Sequence, residues 1–426
     1  MSEKPASGDV QQPPQRAAFQ VTLSRRWLVG VAILLLVPWV AVMVIAFSCL
    51  PQKGSGTHAI AVPPPGSYKC EPGPWGDLEC IPITIAPPPE FIEAFDPEYL
   101  NSAWNFPNVN PDQLRTLLAG VEMPEAQRAA MLAAARPMPA INGYVIQPQG
   151  EWVRGLKPQA RAILYNGLGH FKENRAQAEA FRFCADSPDQ WLSEVELSPA
   201  TRDLVKSLMY RNGRYWFFAD LAYVLPRLTN EAEKKNLLKV LSSEKDLFVK
   251  LCVQDEKSVN PLVDYWGRGG RATDVQPLLE AIGQVQGTTK ISISLLLPGF
   301  ARRLVHTYPT PSMDPQPPRH DCHWTAFNFF NEQPDERFTH SEFILKTLRS
   351  DYYPVYSDFA LGDIVMFVDR QENVLHTAVY VADGILFTKS GNRSSTPWMF
   401  ARLDDLKEFY PSSTPITIRY YRHKGV

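Results

Sequence analysis

Cys322 and His376 are the residues of this chain whose types and spacing suggest chemistry. Cys322 lies in the segment RHDCHWTAFNFF, at the predicted start of an amphipathic helix, and His376 begins a predicted strand 54 residues later. The unpaired N–H groups and the positive end of a helix favour a thiolate over a thiol. Lowering a thiol pKa by about two requires about 2.7 kcal/mol, whereas a helix end supplies up to about 2 kcal/mol. A second cation is therefore needed, and the imidazolium of His376 is the best placed candidate.

A third polar residue should orient the imidazole, and its identity depends on the turn between two predicted strands. If the turn consists of the two residues 383–384, strand pairing places Phe387 and Lys389 on the face of His376. A lysine ammonium cannot accept a proton from the ring. In this register Lys389 is expected to be a solvated strand residue, and contact with a substrate stays open.

The other register follows if the turn consists of the three residues 382–384, with Gly384 in the left-handed conformation. Thr388 and Ser390 then share the face of His376. A hydroxyl can accept the Nδ1 proton of the imidazole. Residue counting leaves both registers open.

The order of these features resembles that of the NlpC-type papain-fold cysteine hydrolases, over the last ~130 residues. Asp321 and Cys322 start an aromatic helix, Gly362-Asp363 leads a strand, and His376 heads the strand HTAVYVADG. Proteins of that family are cysteine peptidases and amidases, many of which act on cell-wall peptides. Their helix-start Cys is paired with a His on a barrel strand.

The resemblance implies a role for each of five residues. Cys322 would be the nucleophile and His376 the general base and acid. The third residue of the family lies 12 positions after its His, which favours the second register and Thr388, with Ser390 behind it. A Tyr before the Cys often assists at the oxyanion in that family, and Tyr308 matches it.

The predicted function is a membrane-anchored cysteine hydrolase that cleaves an amide bond, in cell-wall peptides by resemblance, through an acyl-enzyme on Cys322. Acyl or peptidyl transfer by the same Cys-His pair is a further alternative. A catalytically inactive envelope protein that binds or scaffolds a partner is the rival prediction. It draws on His323-Trp324, which follow the Cys where the family usually has Ser-Gly.

No cofactor and no metal are predicted. His320, Cys322, His323 and His340 form a nominal ligand set, but their spacing matches no zinc template, and a metal would consume the nucleophile.

The elements that must position the site lie in a C-terminal domain, residues 296–426, of α+β class and papain-like by resemblance. One helix near Asp321 is followed by the strands GDIVMFVD (362–369), HTAVYVAD (376–383), ILFTKSG (385–391) and ITIRYYR (416–422).

Residues 108–295 are predicted to form an all-helical domain, which we expect to bind a protein partner in the rival prediction. Asn110, Pro124, Ser198 and Asn230 mark the starts of helices. The aromatic run RYWFFADLAYVL (214–225) is apolar nearly all round and predicts a buried core helix, with a ligand groove as the alternative.

Residues 48–107 are predicted to be a Pro-rich linker, because 10 of the 39 residues from Pro51 to Pro89 are proline. Cys70 and Cys80 stand close together within it, and in an oxidising compartment they would close a small loop by a disulfide. Two unpaired thiols are the alternative.

Trp27 to Phe47 contains no charged residue in 21 positions, enough for a helix of about 30 Å across a bilayer. Lys4, Arg16, Arg25 and Arg26 precede it, which places residues 1–26 in the cytoplasm. The prediction is a single-pass protein of the bacterial inner membrane whose bulk faces the periplasm or cell wall. A cleaved signal peptide and a lipoprotein acylated at Cys49 are the alternatives.

The formal net charge of −2 shows no basic excess, so nucleic-acid binding is not indicated. The expected partners are a lipid bilayer and a peptide or cell-wall substrate.

Overall fold

The computed structural model describes residues 66–93, 100–254, 256–285, 287–310, 320–391, 395–409 and 415–426. These residues belong to one compact unit, Pro64–Val426. Within the described ranges the fold is mixed α/β, with 16 α-helices and four antiparallel sheets.

The strands are, in chain order, β1 (Tyr68–Lys69), β2 (Asp77–Ile85), β3 (Trp104–Phe106), β4 (Arg136–Met138), β5 (Gly143–Ile146), β6 (Phe181–Cys184), β7 (Tyr210–Asn212), β8 (Tyr215–Phe218), β9 (Glu244–Val253), β10 (Thr289–Ser292), β11 (Tyr352–Val355), β12 (Ile364–Val368), β13 (Val374–Ala382), β14 (Ile385–Lys389), β15 (Trp398–Arg402) and β16 (Thr417–His423).

The α-helices are α1 (Pro89–Glu93), α2 (Pro111–Ala119), α3 (Glu125–Ala134), α4 (Gly150–Gly155), α5 (Pro158–Gly169), α6 (Arg175–Ala178), α7 (Pro188–Leu192), α8 (Pro199–Leu208), α9 (Leu221–Val224), α10 (Glu231–Leu241), α11 (Val259–Trp266), α12 (Ala272–Gly283), α13 (Gly299–Leu304), α14 (Cys322–Phe327), α15 (Ser341–Asp351) and α16 (Leu403–Phe409).

The four sheets differ in size and position along the chain. The largest has six strands in the order β11-β16-β12-β13-β14-β15, and a second has the order β1-β2-β9-β10. Two three-stranded sheets, β3-β5-β4 and β6-β8-β7, lie in the middle of the sequence. The predicted all-helical domain at 108–295 is therefore wrong, because all or part of each of the three smaller sheets falls within it.

The aromatic run 214–225 shows why the helical prediction failed. Tyr215–Phe218 is strand β8, paired with both β6 and β7, and only Leu221–Val224 is helical. A short, fully apolar run shows neither the helical nor the strand period, so periodicity alone cannot tell whether it forms a helix or a strand. Here the two flanking strands decide.

The predicted helix starts are found where the side chains can satisfy free backbone N–H groups. The Asn110 side chain accepts from the N–H groups of Asp112 and Gln113, and Gln113 returns a bond to the N–H of Asn110. Ser198 and Asn230 likewise accept from N–H groups in the first turns of α8 and α10. These caps depend only on residues a few positions away, which is why sequence predicts them.

Part of the predicted Pro-rich linker is folded. Strand β2 pairs with β9 along nine residues, from Asp77 opposite Cys252 to Ile85 opposite Glu244. Leu78, Cys80 and Ile81 are buried in this strand. The linker prediction is therefore wrong for Asp77–Ile85.

Two large hydrophobic cores organise the described residues, beside a third, smaller cluster that contains Phe367 and Leu386. One is built from residues between Phe91 and Leu241. The other combines Cys70, Leu78 and Cys80 with residues from Leu247 to Phe400. The cores thus divide near residue 242, and the six-stranded sheet shares its core with β9 and α11 from before the predicted boundary at 295.

None of the helices in the described ranges is long and apolar enough to cross a bilayer. The predicted span, Trp27 to Phe47, lies outside the described residues, as do residues 1–26 and Cys49. The predicted fold class, with its single transmembrane helix and all-helical middle domain, is accordingly corrected to a mixed α/β fold with four antiparallel sheets.

Candidate active site

The hairpin of β13 and β14 determines which side chains accompany His376. Tyr380 pairs with Leu386 and Ala382 with Ile385, so Val381 is an extra residue that forms a bulge. The turn is the two residues Asp383 (φ 42°) and Gly384 (φ 70°), a combination that suits a tight hairpin turn. The structure therefore has the two-residue turn. Because of the bulge, however, Thr388 and Ser390 share the face of His376, which had been predicted for the three-residue turn.

Thr388 consequently shares a face with His376. Its Oγ1 lies 2.7 Å from Nε2 of the imidazole, and both side chains are fully buried. The direction of this hydrogen bond depends on the tautomer of the ring. The nitrogen involved is Nε2, whereas the sequence argument assigned the contact to Nδ1. The ring of Phe367 covers the imidazole, with centroids 5.5 Å apart.

Gly362 and Asp363 position the strand that pairs with β13. Both carboxylate oxygens of Asp363 accept from the Arg422 guanidinium, at 2.7 and 2.8 Å, and one also accepts from the N–H of Ala360. Gly362 has φ 93°, and its N–H donates to Tyr380 on β13. The Gly-Asp pair is thus a brace that aligns β12 with β13 and β16.

Cys322 is the first residue of α14, which begins at Asp321. The Asp321 carboxylate accepts from the N–H groups of His323 and Trp324, at 2.9 and 3.0 Å. These N–H groups were expected to stabilise a thiolate, but the cap engages both of them, and the N–H of His323 lowers the pKa of Cys322 by a lesser effect than burial raises it. The helix ends at Phe327, because the Asn328 side chain turns the chain by bonding to Trp324 and Asp335.

The Cys322 sulfur lies against the main chain of β13. The backbone N–H of Thr377 bonds to it and lowers its pKa, but burial, the largest effect, and the Asp321 charge raise that pKa to about 12. A strand N–H points along the plane of its sheet. The sulfur therefore lies beside the main chain of Thr377, and because side chains alternate along a strand, the side chains of Thr377 and His376 point to opposite faces of β13.

Burial also keeps the imidazole of His376 neutral. It lowers the pKa of His376 to about 3, and the positive charges of His323 and Arg182 act in the same direction. Burial thus opposes the ionisation of both groups, because it raises the pKa of the thiol and lowers that of the imidazole. In this state both groups are neutral, and the expected thiolate-imidazolium pair is absent.

His323 is a site residue that the sequence argument did not assign. Its Nδ1 lies 2.8 Å from Thr377 Oγ1, and burial lowers its pKa against the opposing charge of Asp321. Its position directly after Cys322 was the available signal. Only the fold shows that it contacts the strand of His376.

Lys389 is fully buried rather than solvated. Its Nζ donates to the carbonyl of Gly391 at 3.0 Å and to Thr396 Oγ1 at 3.2 Å, and its charge acts to lower the pKa of Cys322. Ser390 is also buried, and its hydroxyl has no hydrogen-bond partner among the described residues. One cationic side chain, Lys389, and one hydroxyl side chain, Ser390, thus lie buried at the end of β14.

Tyr308 is engaged elsewhere in this structure. Its hydroxyl lies within 3.0 Å of the Ile85 carbonyl and 2.8 Å of the Ser242 carbonyl, and its single proton can donate to one or the other. Burial raises the pKa of Tyr308. Its role at an oxyanion stays a prediction.

Residues from the middle of the chain lie near the site, since the charge of Arg182 acts to lower the pKa of His376. Arg182 of β6, Ser242, Glu244, Ser395 and Thr396 line a narrow cleft with a volume of about 10 Å³. That is room for about one water molecule. Cys322 is only 7% exposed and His376 is not exposed at all, so no substrate reaches them without movement of the residues that bury them.

Two other predicted features can be placed. Cys70 and Cys80 are both buried thiols whose sulfurs lie 3.1 Å apart. Across the described ranges, no three His, Cys, Asp or Glu side chains are grouped so as to hold a metal ion.

Comparisons with protein-family models, with curated proteins and with solved structures find no match for this chain. The hydrolase class and the papain-like fold that we expected therefore find no support, and the fold stands as the mixed α/β arrangement described above. The resemblance to the NlpC-type family is not tested by any match.

Proposed function

We propose that this protein catalyses acyl transfer from an amide, with Cys322 as nucleophile and His376 as base. The observation that carries the proposal is the 2.7 Å contact between His376 Nε2 and Thr388 Oγ1, on the strand whose next N–H bonds to the Cys322 sulfur. Thr388 fixes the ring through Nε2, so Nδ1 is the nitrogen that would exchange the proton.

The chemistry balances as a thioester route. The Cys322 proton moves to His376 Nδ1 while the sulfur attacks the carbonyl carbon. The imidazolium then protonates the departing amine, and a thioester forms on Cys322. An acceptor, either water or an amine, gives its proton to His376 and releases the acyl group, which restores the thiol.

The neutral pair requires that proton transfer accompanies attack, because separated ions are too costly in the buried state. Movement of the residues that bury the pair would admit substrate and water. Hydration would lower the pKa of Cys322 and raise that of His376, since burial is the largest cause of both shifts. The proposed acyl donor, by resemblance alone, is a cell-wall peptide.

The test is incubation of the full chain with defined cell-wall peptides, with and without hydroxylamine, followed by mass analysis. Thioester chemistry predicts a free acid without hydroxylamine and a hydroxamate with it. Cys322→Ala should abolish both products, and Thr388→Val should lower the rate by about 10- to 100-fold by misorienting the base, a loss of about 1.4 to 2.7 kcal/mol.

Cys252→Ala is the matched control, because Cys252 lies on β9 and is partly buried. It should keep the full rate. Turnover that survives Cys322→Ala would overturn the proposal.

A second candidate, a non-catalytic binding protein, is favoured by the complete burial of His376 and the near-complete burial of Cys322. It predicts no turnover by the wild type, together with a Cys322 thiol that resists iodoacetamide at pH 9 until the protein unfolds. Modification of Cys322 in the folded protein would count against this candidate.

A further inference from the structure

Cys70 and Cys80 stand on one face of a narrow hairpin at the edge of the four-stranded sheet. Tyr68 pairs with Cys80, and the N–H of Cys70 donates to the Leu78 carbonyl at 3.0 Å. Residues 70 and 80 are therefore diagonal neighbours across β1 and β2, a spacing that brings their side chains together. The connecting loop is tight, because the N–H of Gly76 (φ 82°) donates to the Gly73 carbonyl.

The two thiols are in direct hydrogen-bonding contact. Their sulfurs lie 3.1 Å apart. The hydrogen bond between them lowers the pKa of Cys80 and raises that of Cys70, and the nearby Arg402 charge favours the thiolate of either. The contact places one sulfur in position to attack an oxidant and the other to resolve the mixed disulfide.

The loop between the cysteines is attached to the hairpin that carries His376. The N–H of Glu71 donates to the Asp383 carboxylate at 3.2 Å, and Asp383 is the first residue of the β13–β14 turn. Trp75 packs against Tyr265 and Tyr380, with ring centroids 5.9 and 6.4 Å apart. Trp266 Nε1 donates to the Trp75 carbonyl.

We propose that Cys70 and Cys80 are a redox modification site, whose oxidation to a disulfide clamps the loop 71–79 onto the turn at Asp383. The oxidant is a small-molecule or protein disulfide. One of the two cysteines attacks one of its sulfurs and releases a thiol; the other cysteine then attacks the resulting mixed disulfide and releases the second thiol. Two protein thiols lose two electrons and two protons, and the oxidant disulfide is reduced to two thiols.

Both buried sulfurs become accessible by a small local opening. Strand β1 has only two residues, both exposed, at the edge of its sheet. Detaching such an edge requires little free energy compared with global unfolding. Oxidation therefore does not require the main cores to open.

The test is incubation of the full chain with oxidised or reduced glutathione, followed by alkylation under denaturing conditions and tryptic mass analysis. Residues 70–115 form one tryptic peptide, between Lys69 and Arg115, that contains both cysteines and no other. The oxidised sample should give this peptide unalkylated and two hydrogens lighter. Full alkylation of both thiols after oxidation would overturn the proposal.

Stability and hydrogen exchange test the clamp itself. Closing a loop of about ten residues should lower the unfolding equilibrium constant by about 100-fold on oxidation. Amides of residues 71–79 and of the 383–384 turn should exchange more slowly in the oxidised protein. A disulfide that leaves the turn exchange unchanged would contradict the clamp.

Cys252→Ser is the matched control, since it removes a thiol from the same sheet and keeps the pair. It should retain both responses, whereas Cys70→Ser and Cys80→Ser should each lose them. None of these readouts depends on turnover at Cys322, so this proposal and the proposed function can fail separately.

Discussion

The pKa of His376 makes the stability of this protein depend on pH in a way that one substitution can remove. Burial lowers that pKa from 6.5 to about 3. Below pH 6.5 the unfolded chain takes up a proton that the folded chain refuses, so acid favours unfolding. The stabilisation is complete above pH 6.5 and is lost as the pH falls toward 3.

The magnitude follows from the size of the shift. A difference of about 3.5 in pKa corresponds to about 5 kcal/mol over the whole range, of which about 3 kcal/mol is lost by pH ~4.5. The free energy of unfolding of the wild type should therefore fall by about 1.4 kcal/mol per pH unit in this window from His376 alone.

The assay is urea unfolding of the full chain at closely spaced pH values from 7.5 to 3.5, for the wild type and His376→Gln. The glutamine keeps a polar group for Thr388 but does not titrate. The slope of its free energy of unfolding against pH should be smaller by the contribution of one proton, whatever its absolute stability. His323→Gln is the necessary control, because burial also lowers the pKa of His323.

Parallel pH curves for the wild type and His376→Gln would refute the reasoning. They would mean that the imidazole is hydrated in solution and that the residues that bury it have moved away. That outcome would place the closed state of the site among minor conformations.

Other substitutions test separate parts of the structure. Above pH 9 the raised pKa of Cys322 makes stability fall as the pH rises, because the thiol ionises first in the unfolded chain. The free energy of unfolding should fall by up to about 4 kcal/mol toward pH 12. Cys322→Ala should reduce that fall in urea titrations. Thr388→Val should lower the free energy of unfolding by about 1 to 3 kcal/mol, since it leaves a buried imidazole nitrogen without its hydroxyl, while Thr388→Ser should cost less; equal losses would contradict the hydrogen bond. Asp363→Asn should cost about 3 kcal/mol or more, because the Arg422 guanidinium loses its carboxylate, and an unchanged denaturation midpoint would show that the pair is not the brace of β12. Asn110→Ala should cost about 1 kcal/mol by removing the α2 cap, measured by thermal unfolding.

The turn at Asp383 shows how close the sequence argument came to the candidate site. An Asp-Gly turn between apolar runs predicts a hairpin, and the hairpin is present. The bulge at Val381 is what brings Thr388 to the face of His376. A bulge arises from packing on both faces of a sheet, and the apolar run VYVA carries no sign of it.

Lys389 shows the limit of reading burial from residue type. A lysine on a strand is usually solvated, yet this ammonium is buried because Gly391 and Thr396 supply acceptors. Those acceptors come from a later turn of the chain. Their convergence on Lys389 depends on the tertiary fold.

The sequence by itself determined the features whose causes lie within a few residues. The caps at Asn110, Ser198 and Asn230 and the Asp-Gly turn are local hydrogen-bonding and steric effects, and all are present in the structure. Tertiary structure decided the features that need distant partners. Pairing with β9 made a strand of Asp77–Ile85, and flanking strands made one of Tyr215–Phe218.

The protonation of the Cys322 and His376 pair also belongs to the tertiary structure. Their residue types and order suggested an activated thiolate, because helix ends and imidazolium charges act over short distances. Desolvation keeps both groups neutral here, and its extent depends on residues from distant parts of the chain that cover the site. A pattern of residue types along one segment carries no information about that cover.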